Sequence, residues 1–329
     1  MRPCFVVFAL CATPLSFAPL AAQGVFATKV IAFDTKGNAG GGSFDPKNAL
    51  GAPSSATSNV HSLGVDGWLT LGFDVVITNG PGADFIVFEN PFRVGSQVYS
   101  EAVFVEVSSN GTDFARFPTR YSGPSTSGGP FATGYVGWYE GFAGIKPHLG
   151  GAPGVDPADV VQVGGDSFDL EDLRNHPLVL ANKLDLNRVI QIRLVDVVAG
   201  ISRDTAGRII QDPTSGSADI DAVSVIHHVA NTKGTGPFVV LDIPPSGDLT
   251  LTIGDPNGLV DLDPSSLRMA LDGLEFPPDA LISVMTIKQL TGNKVTLGLG
   301  GSLPPQFTFH LGVSVKDRAG DRSGQNRVR

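Results

Sequence analysis

The sequence predicts an all-β protein with two sandwich-type domains, and three observations carry that prediction. First, 41 Gly and 24 Pro among 329 residues supply turns at short intervals. Second, short runs rich in Val, Ile, Phe and Thr are bounded by clusters such as "TNGPGA" and "SSNGTD". Third, apolar residues recur at helical spacing nowhere except for a turn or two in "FDLEDLRNH" (168–176). There Asp169 suits a cap, and Glu171 and Asp172 suit a helix N-terminus.

The chain opens "MRPCFVVFALCATPLSFAPLAAQG". Arg2, an apolar run and the small residues Ala21 and Ala22 form the pattern of a signal peptide, cleaved after Ala22. Six strands are expected next, over 26–33, 67–73, 84–89, 102–108, 188–197 and 219–227. Between them, 117–167 is a long Gly-, Pro- and Ser-rich connection, a length usually tied to function or disorder. Its aromatic residues argue against disorder. The first domain is therefore placed at 25–230, and the polar stretch "VANTKGTGP" (229–237) is read as a linker.

Beyond the linker, six short strands in about 80 residues match the spacing of a small immunoglobulin-like sandwich, at 236–318. They are "FVVLDI", "GDLTLTIG", "SLRMALDG", "LISVMTI", "NKVTLGLG" and "FTFHLGVSVKD". Residues 319–329 read as a polar tail.

Charge and cysteine usage narrow the function. The 23 Lys and Arg against 32 Asp and Glu give −9, and removing Arg2 with the signal gives 22 − 32 = −10. An acidic protein is not expected to bind nucleic acid, whereas neutral glycans and divalent cations suit it. Both cysteines, Cys4 and Cys11, fall within 1–22, so no disulfide or zinc–thiolate site is expected after cleavage. No later apolar run approaches 18 residues, and neither membrane insertion nor a sorting tail is expected.

Acidic residues cluster at strand ends. Asp84 is in phase with Ile86 and Phe88, Glu89 with Phe85 and Val87, and Asp196 with Ile190, Ile192 and Leu194. In "DIDAVSV", Asp219 and Asp221 share the phase of Val223 and Val225. A buried carboxylate needs a cation or donors. Oxygen-only ligands of this kind suit a structural calcium ion, and hydrogen bonds from loop amides are the alternative. In the long connection, Tyr135, Trp138 and Tyr139 are candidates to stack on a sugar; the competing reading is that the rings pin the loop to the sandwich. No nucleophile elbow, H-E-x-x-H, phosphate-binding loop or dinucleotide fingerprint is present, so no enzyme is expected.

The segments "ALGAP" (49–53), "SLGVDGWLTLGFD" (62–74), "GADFIVFEN" (82–90), "EAVFVEVSSNGTDFARF" (101–117), "GGDSFDLEDL" (164–173), "VIQIRLVDV" (189–197) and "SADIDAVSVIH" (217–227) together resemble bacterial secreted and cell-surface proteins. Their main domain is a discoidin-type, galactose-binding-like jelly roll. The resemblance implies a jelly-roll sandwich that binds a glycan or other cell-surface ligand through loops, with a structural calcium for which Asp45 would neighbour Asp219 or Asp221. "VKDRAGD" (315–321) is similar to the end of bacterial immunoglobulin-like modules. The function expected is a non-catalytic binding protein, with a structural surface-layer protein as the rival and a hydrolase further behind.

Overall fold

The computed structural model describes residues 25–37, 43–54, 56, 58–126, 129, 134–213, 216–228, 237–243, 248–255, 258–299, 309–318 and 322–328. Residues 1–24, which include the expected signal peptide, and residues 229–236 of the expected linker lie outside the described residues. The fold is all-β, and every strand pair is antiparallel.

Two five-stranded sheets build the first sandwich. The inner sheet runs Val25–Phe26, Asp219–Val225, Phe85–Glu89, Asp166–Phe168, with His61–Ser62 also paired to Asp219–Val225. The outer sheet runs Lys29–Asp34, Trp68–Ile77, Val189–Asp196, Val103–Ser108, Ala115–Arg116. Phe85, Val87, Ile220, Val223 and Val225 of the inner sheet meet Leu69, Leu71, Val105, Val107, Ile192 and Leu194 of the outer one in a single core. Alternate residues of each strand point inward, which is how two antiparallel sheets bury one face each.

The long connection covers the remaining faces. Tyr121, Val136, Tyr139, Phe142 and Ile145 pack on the outer sheet against Phe104, and Val160 and Val163 pack on the inner sheet against Ile86, Phe88 and Ala222. Both sheets thus have apolar residues on both sides.

The second sandwich has a sheet of Phe238–Asp242, Leu249–Gly254, Lys294–Leu299 and Thr286–Leu290, facing one of Leu274–Phe276, Leu262–Leu271, His310–Asp317 and Arg322–Val328. Two expectations need correction here. The stretch read as one strand from 281 is first a short helix, Pro278–Ile282, because Pro278 and Asp279 start a helical turn. The expected polar tail is a strand, since Arg322–Val328 pairs along its length with His310–Asp317. Ser323 and Gln325 are buried because they are bonded: Ser323 Oγ accepts from Val239 N–H and Gln325 Oε1 from Leu241 N–H.

The same strand reaches the first sandwich. Ala83 N–H donates to Gly324 O at 2.8 Å, and Gln325 Nε2 to Asp169 Oδ2 at 2.7 Å. Ser314 Oγ donates to Asp159, and Tyr135 OH donates to Asp272 at 2.8 Å. The two sandwiches are therefore hydrogen-bonded to each other in addition to being joined in sequence.

Candidate functional site

The strand Asp219–Val225 carries the site, and its register departs from simple alternation. Ile220 pairs with Glu89, yet Ala222 pairs with Phe88, so one extra residue is accommodated near Asp221. Such a β-bulge resets which side chains face inward. Ile220, Val223 and Val225 all reach the inter-sheet core, which leaves Asp219 and Asp221 off that face. The expectation that the aspartates share a face with the valines is overturned by this bulge.

Asp219 belongs to an acid cluster. Its N–H donates to Glu89 Oε1 at 2.9 Å, and its Oδ1 accepts from Ser62 Oγ. Glu89, Glu101 and Asp219 line a pocket of about 280 Å³ with Asn90, Phe92 and Tyr99. Glu89 is 3% exposed, and its Oε2 is buried with no hydrogen-bond partner. Asp196 and Asp212 lie within electrostatic reach of Glu101. None of these five carboxylates is ion-paired to a Lys, Arg or His among the described residues.

Burial and mutual repulsion then favour the protonated forms. Burial, followed by the charges of Asp219 and Asp196, pushes Glu101 up to about 8. Burial and the Glu101 charge hold Glu89 well above the usual carboxylate range, and burial does the same to Asp212 with Asp196 and Glu101 adding to it. Burial alone raises Asp219, against the Ser62 hydrogen bond.

Other acids of the expected metal set lie elsewhere or are already satisfied. Asp45 is exposed and caps the 3-10 turn Pro46–Ala49 by accepting from Lys47 N–H at 3.0 Å. Asp84 accepts from Gly80 N–H and Leu170 N–H, each at 2.7 Å, and its Oδ1 lies 2.8 Å from His227 Nδ1. It locks a corner so tight that a Cβ on Gly80 would meet the His227 ring at 2.3 Å. Asp196 accepts from Asp66 N–H at 3.0 Å. Asp221 accepts from Ser54 N–H at 2.8 Å through Oδ2, which is 3.6 Å from His148 Nε2; its Oδ1 is buried without a partner. Asp45 and Asp84 are thus doing the amide-bonding work that was the alternative to calcium. The pocket gathers Glu89 and Asp219 from the expected set and adds Glu101.

The donors in that pocket are carboxylate oxygens with no His among them, which suits calcium's six to eight oxygen ligands and not zinc. The orphaned Glu89 Oε2 is the atom a cation would satisfy. Among the described residues, the acid trio with oxygens all within 4.8 Å of one another is Asp255, Asp261 and Asp317, in the second sandwich. The Glu89 pocket is wider, so water would complete an ion's shell there.

The three aromatic candidates are held by the fold. Tyr139 is buried, its OH donates to Gln211 O at 2.8 Å, and its ring lies 5.2 Å from that of Tyr121. Trp138 packs on the same cluster, and Tyr135 is tied to Asp272 of the second sandwich. Tyr139 and Trp138 take the packing role that was the competing reading, covering the outer sheet, while Trp138 and Tyr135 stay half-buried. Sequence reading missed Glu101 and Asp212; Glu101 precedes the strand Val103–Ser108 and so shares the strand-end position of the other acids.

Comparison with known proteins matched no family model and found no significantly similar curated protein.

Proposed function

We propose that the protein is a non-catalytic, secreted or cell-surface binding protein whose first sandwich takes a calcium-type divalent cation between Glu89, Glu101 and Asp219. The observation that carries this reading is the buried Glu89 Oε2, which lacks a donor inside a pocket lined by two further carboxylates. When bound, the cation would supply the positive charge this cluster lacks and join the strand Asp219–Val225 to the end of Phe85–Glu89. The ligand class is a glycan or other surface ligand, as the resemblance of the jelly-roll segments implies. The chain's lack of nucleophile, metalloprotease and nucleotide motifs supports a binding role over a catalytic one.

Calorimetric unfolding with calcium and with chelator tests the cation. Calcium at 100 times its dissociation constant adds about 2.7 kcal/mol by mass action. That corresponds to a rise of roughly 5–10 °C for a domain near 200 residues. Glu89→Gln should abolish the response, because the amide cannot become the carboxylate ligand the cation needs. An unchanged wild-type melting curve with calcium and with chelator sinks the proposal.

A further inference from the structure

A second cleft lies where the two sandwiches meet, with a volume of about 450 Å³. That is within the size range of small-molecule sites. The first sandwich supplies most of its wall, and His310 comes from the second. We propose that this cleft binds a carboxylated saccharide, with Lys146 receiving the sugar carboxylate; the inference rests on the binding-protein reading and names its ligand.

Lys146 is the central observation. Its side chain is 9% exposed and forms an ion pair with Asp166 Oδ1 at 3.7 Å, longer than a hydrogen bond. Asp166 Oδ2 is taken by the amides of Ile145 and Lys146, at 2.9 and 3.3 Å. An ammonium carries three donors, and a buried cation needs acceptors for them. His310 Nε2 is engaged by Val136 O at 2.7 Å. The cleft therefore has a buried cation with donors to spare.

Three features select the rest of the ligand. Glu140 and Asp172 also line the cleft, so it offers acceptors suited to sugar hydroxyls. Arg120 and Arg208 also line the cleft but are held by Glu140 and Asp204, which leaves the Lys146 ammonium to face the ligand, and one ammonium matches a monoanionic carboxylate better than a dianionic phosphate. Phe142 and Phe168 contribute ring carbon to the wall, which suits the C–H face of a pyranose. A uronic acid residue combines all three demands.

The test titrates the full chain with digalacturonate, its dimethyl ester and inorganic phosphate by calorimetry. Chelator is present so that calcium does not bridge the sugar carboxylates. Digalacturonate should bind, the ester should bind at least tenfold more weakly, and phosphate should not compete. Lys146→Met together with Asp166→Asn removes both buried charges at once and should abolish digalacturonate binding. A readout on the unaltered chain guards against a folding defect in that variant: digalacturonate should protect Lys146 from reductive methylation, and the ester should not. Equal binding of ester and acid, binding that survives the double substitution, or no sugar binding overturns the inference. Binding of the ester alone overturns it while leaving the glycan reading intact, and the calcium response of Glu89 is read separately.

Discussion

At the scale of single residues, buried carboxyls make stability depend on pH. Burial pushes Asp196 and Asp221 up to about 7. In an unfolded chain such groups titrate near about 3.9. The folded protein therefore holds protons that the unfolded chain has released. The contribution of each group is complete below the unfolded value and is lost as pH rises through the folded one. In chelator, the melting temperature should fall between about pH 5 and about pH 8. Asp221→Asn should flatten that fall, since the amide oxygen still accepts from Ser54 N–H and no proton is at stake. A melting temperature that rises across this window would show that these carboxyls are charged in the folded state.

At the scale of elements, the long connection is a structural layer. Tyr139→Ala empties a buried aromatic site, and losses of about 3–5 kcal/mol are typical of such changes. Tyr139→Phe keeps the ring and removes the hydroxyl that bonds Gln211 O, a loss of about 1 kcal/mol. Chemical denaturation of both variants checks the order; equal, negligible losses would return the rings to the role of an exposed sugar platform. Much at this scale was legible in the sequence. The apolar runs over 84–89, 102–108 and 188–197 are strands at Phe85–Glu89, Val103–Ser108 and Val189–Asp196, because short runs of β-branched and aromatic residues bounded by turn residues suit strands covered on both faces. The bulge near Asp221 was not legible, since a bulge is a relation to the partner strand and "DIDAV" alone reads as regular. The strand Arg322–Val328 was not legible either, because the burial of Ser323 and Gln325 rests on hydrogen bonds they accept from Val239 and Leu241 N–H and one that Gln325 donates to Asp169. Glu89 and Asp219 could be picked out as strand-end acids, but their meeting with Glu101 depends on how three separated segments converge.

At the scale of the whole molecule, the contact between sandwiches predicts joint unfolding. A Cβ on Gly324 would lie 2.4 Å from Val160 Cγ2 and 2.9 Å from Val313 O, so Gly324→Ala wedges the contact apart. Overpacking of this kind costs about 1–3 kcal/mol. Calorimetry should give one transition for the wild type and an earlier, split transition for Gly324→Ala. Two resolved transitions in the wild type would mean that the bonds at Ala83, Asp159 and Asp169 couple the halves too weakly to matter.

Arg322–Val328 follows every other described strand in the chain, yet its Gly324 carbonyl accepts from Ala83 N–H and its Ser323 hydroxyl donates to Pro81 O. Synthesis runs from the N-terminus, so the 80–84 corner of the first sandwich is made long before its partners. During that interval, Ala83 N–H and Pro81 O face water in place of Gly324 and Ser323. A ribosome-bound chain stalled before residue 322 should consequently be cut by protease near this corner, where the finished protein resists. The first sandwich is made before the second, but its 80–84 corner is completed by the last of the described strands.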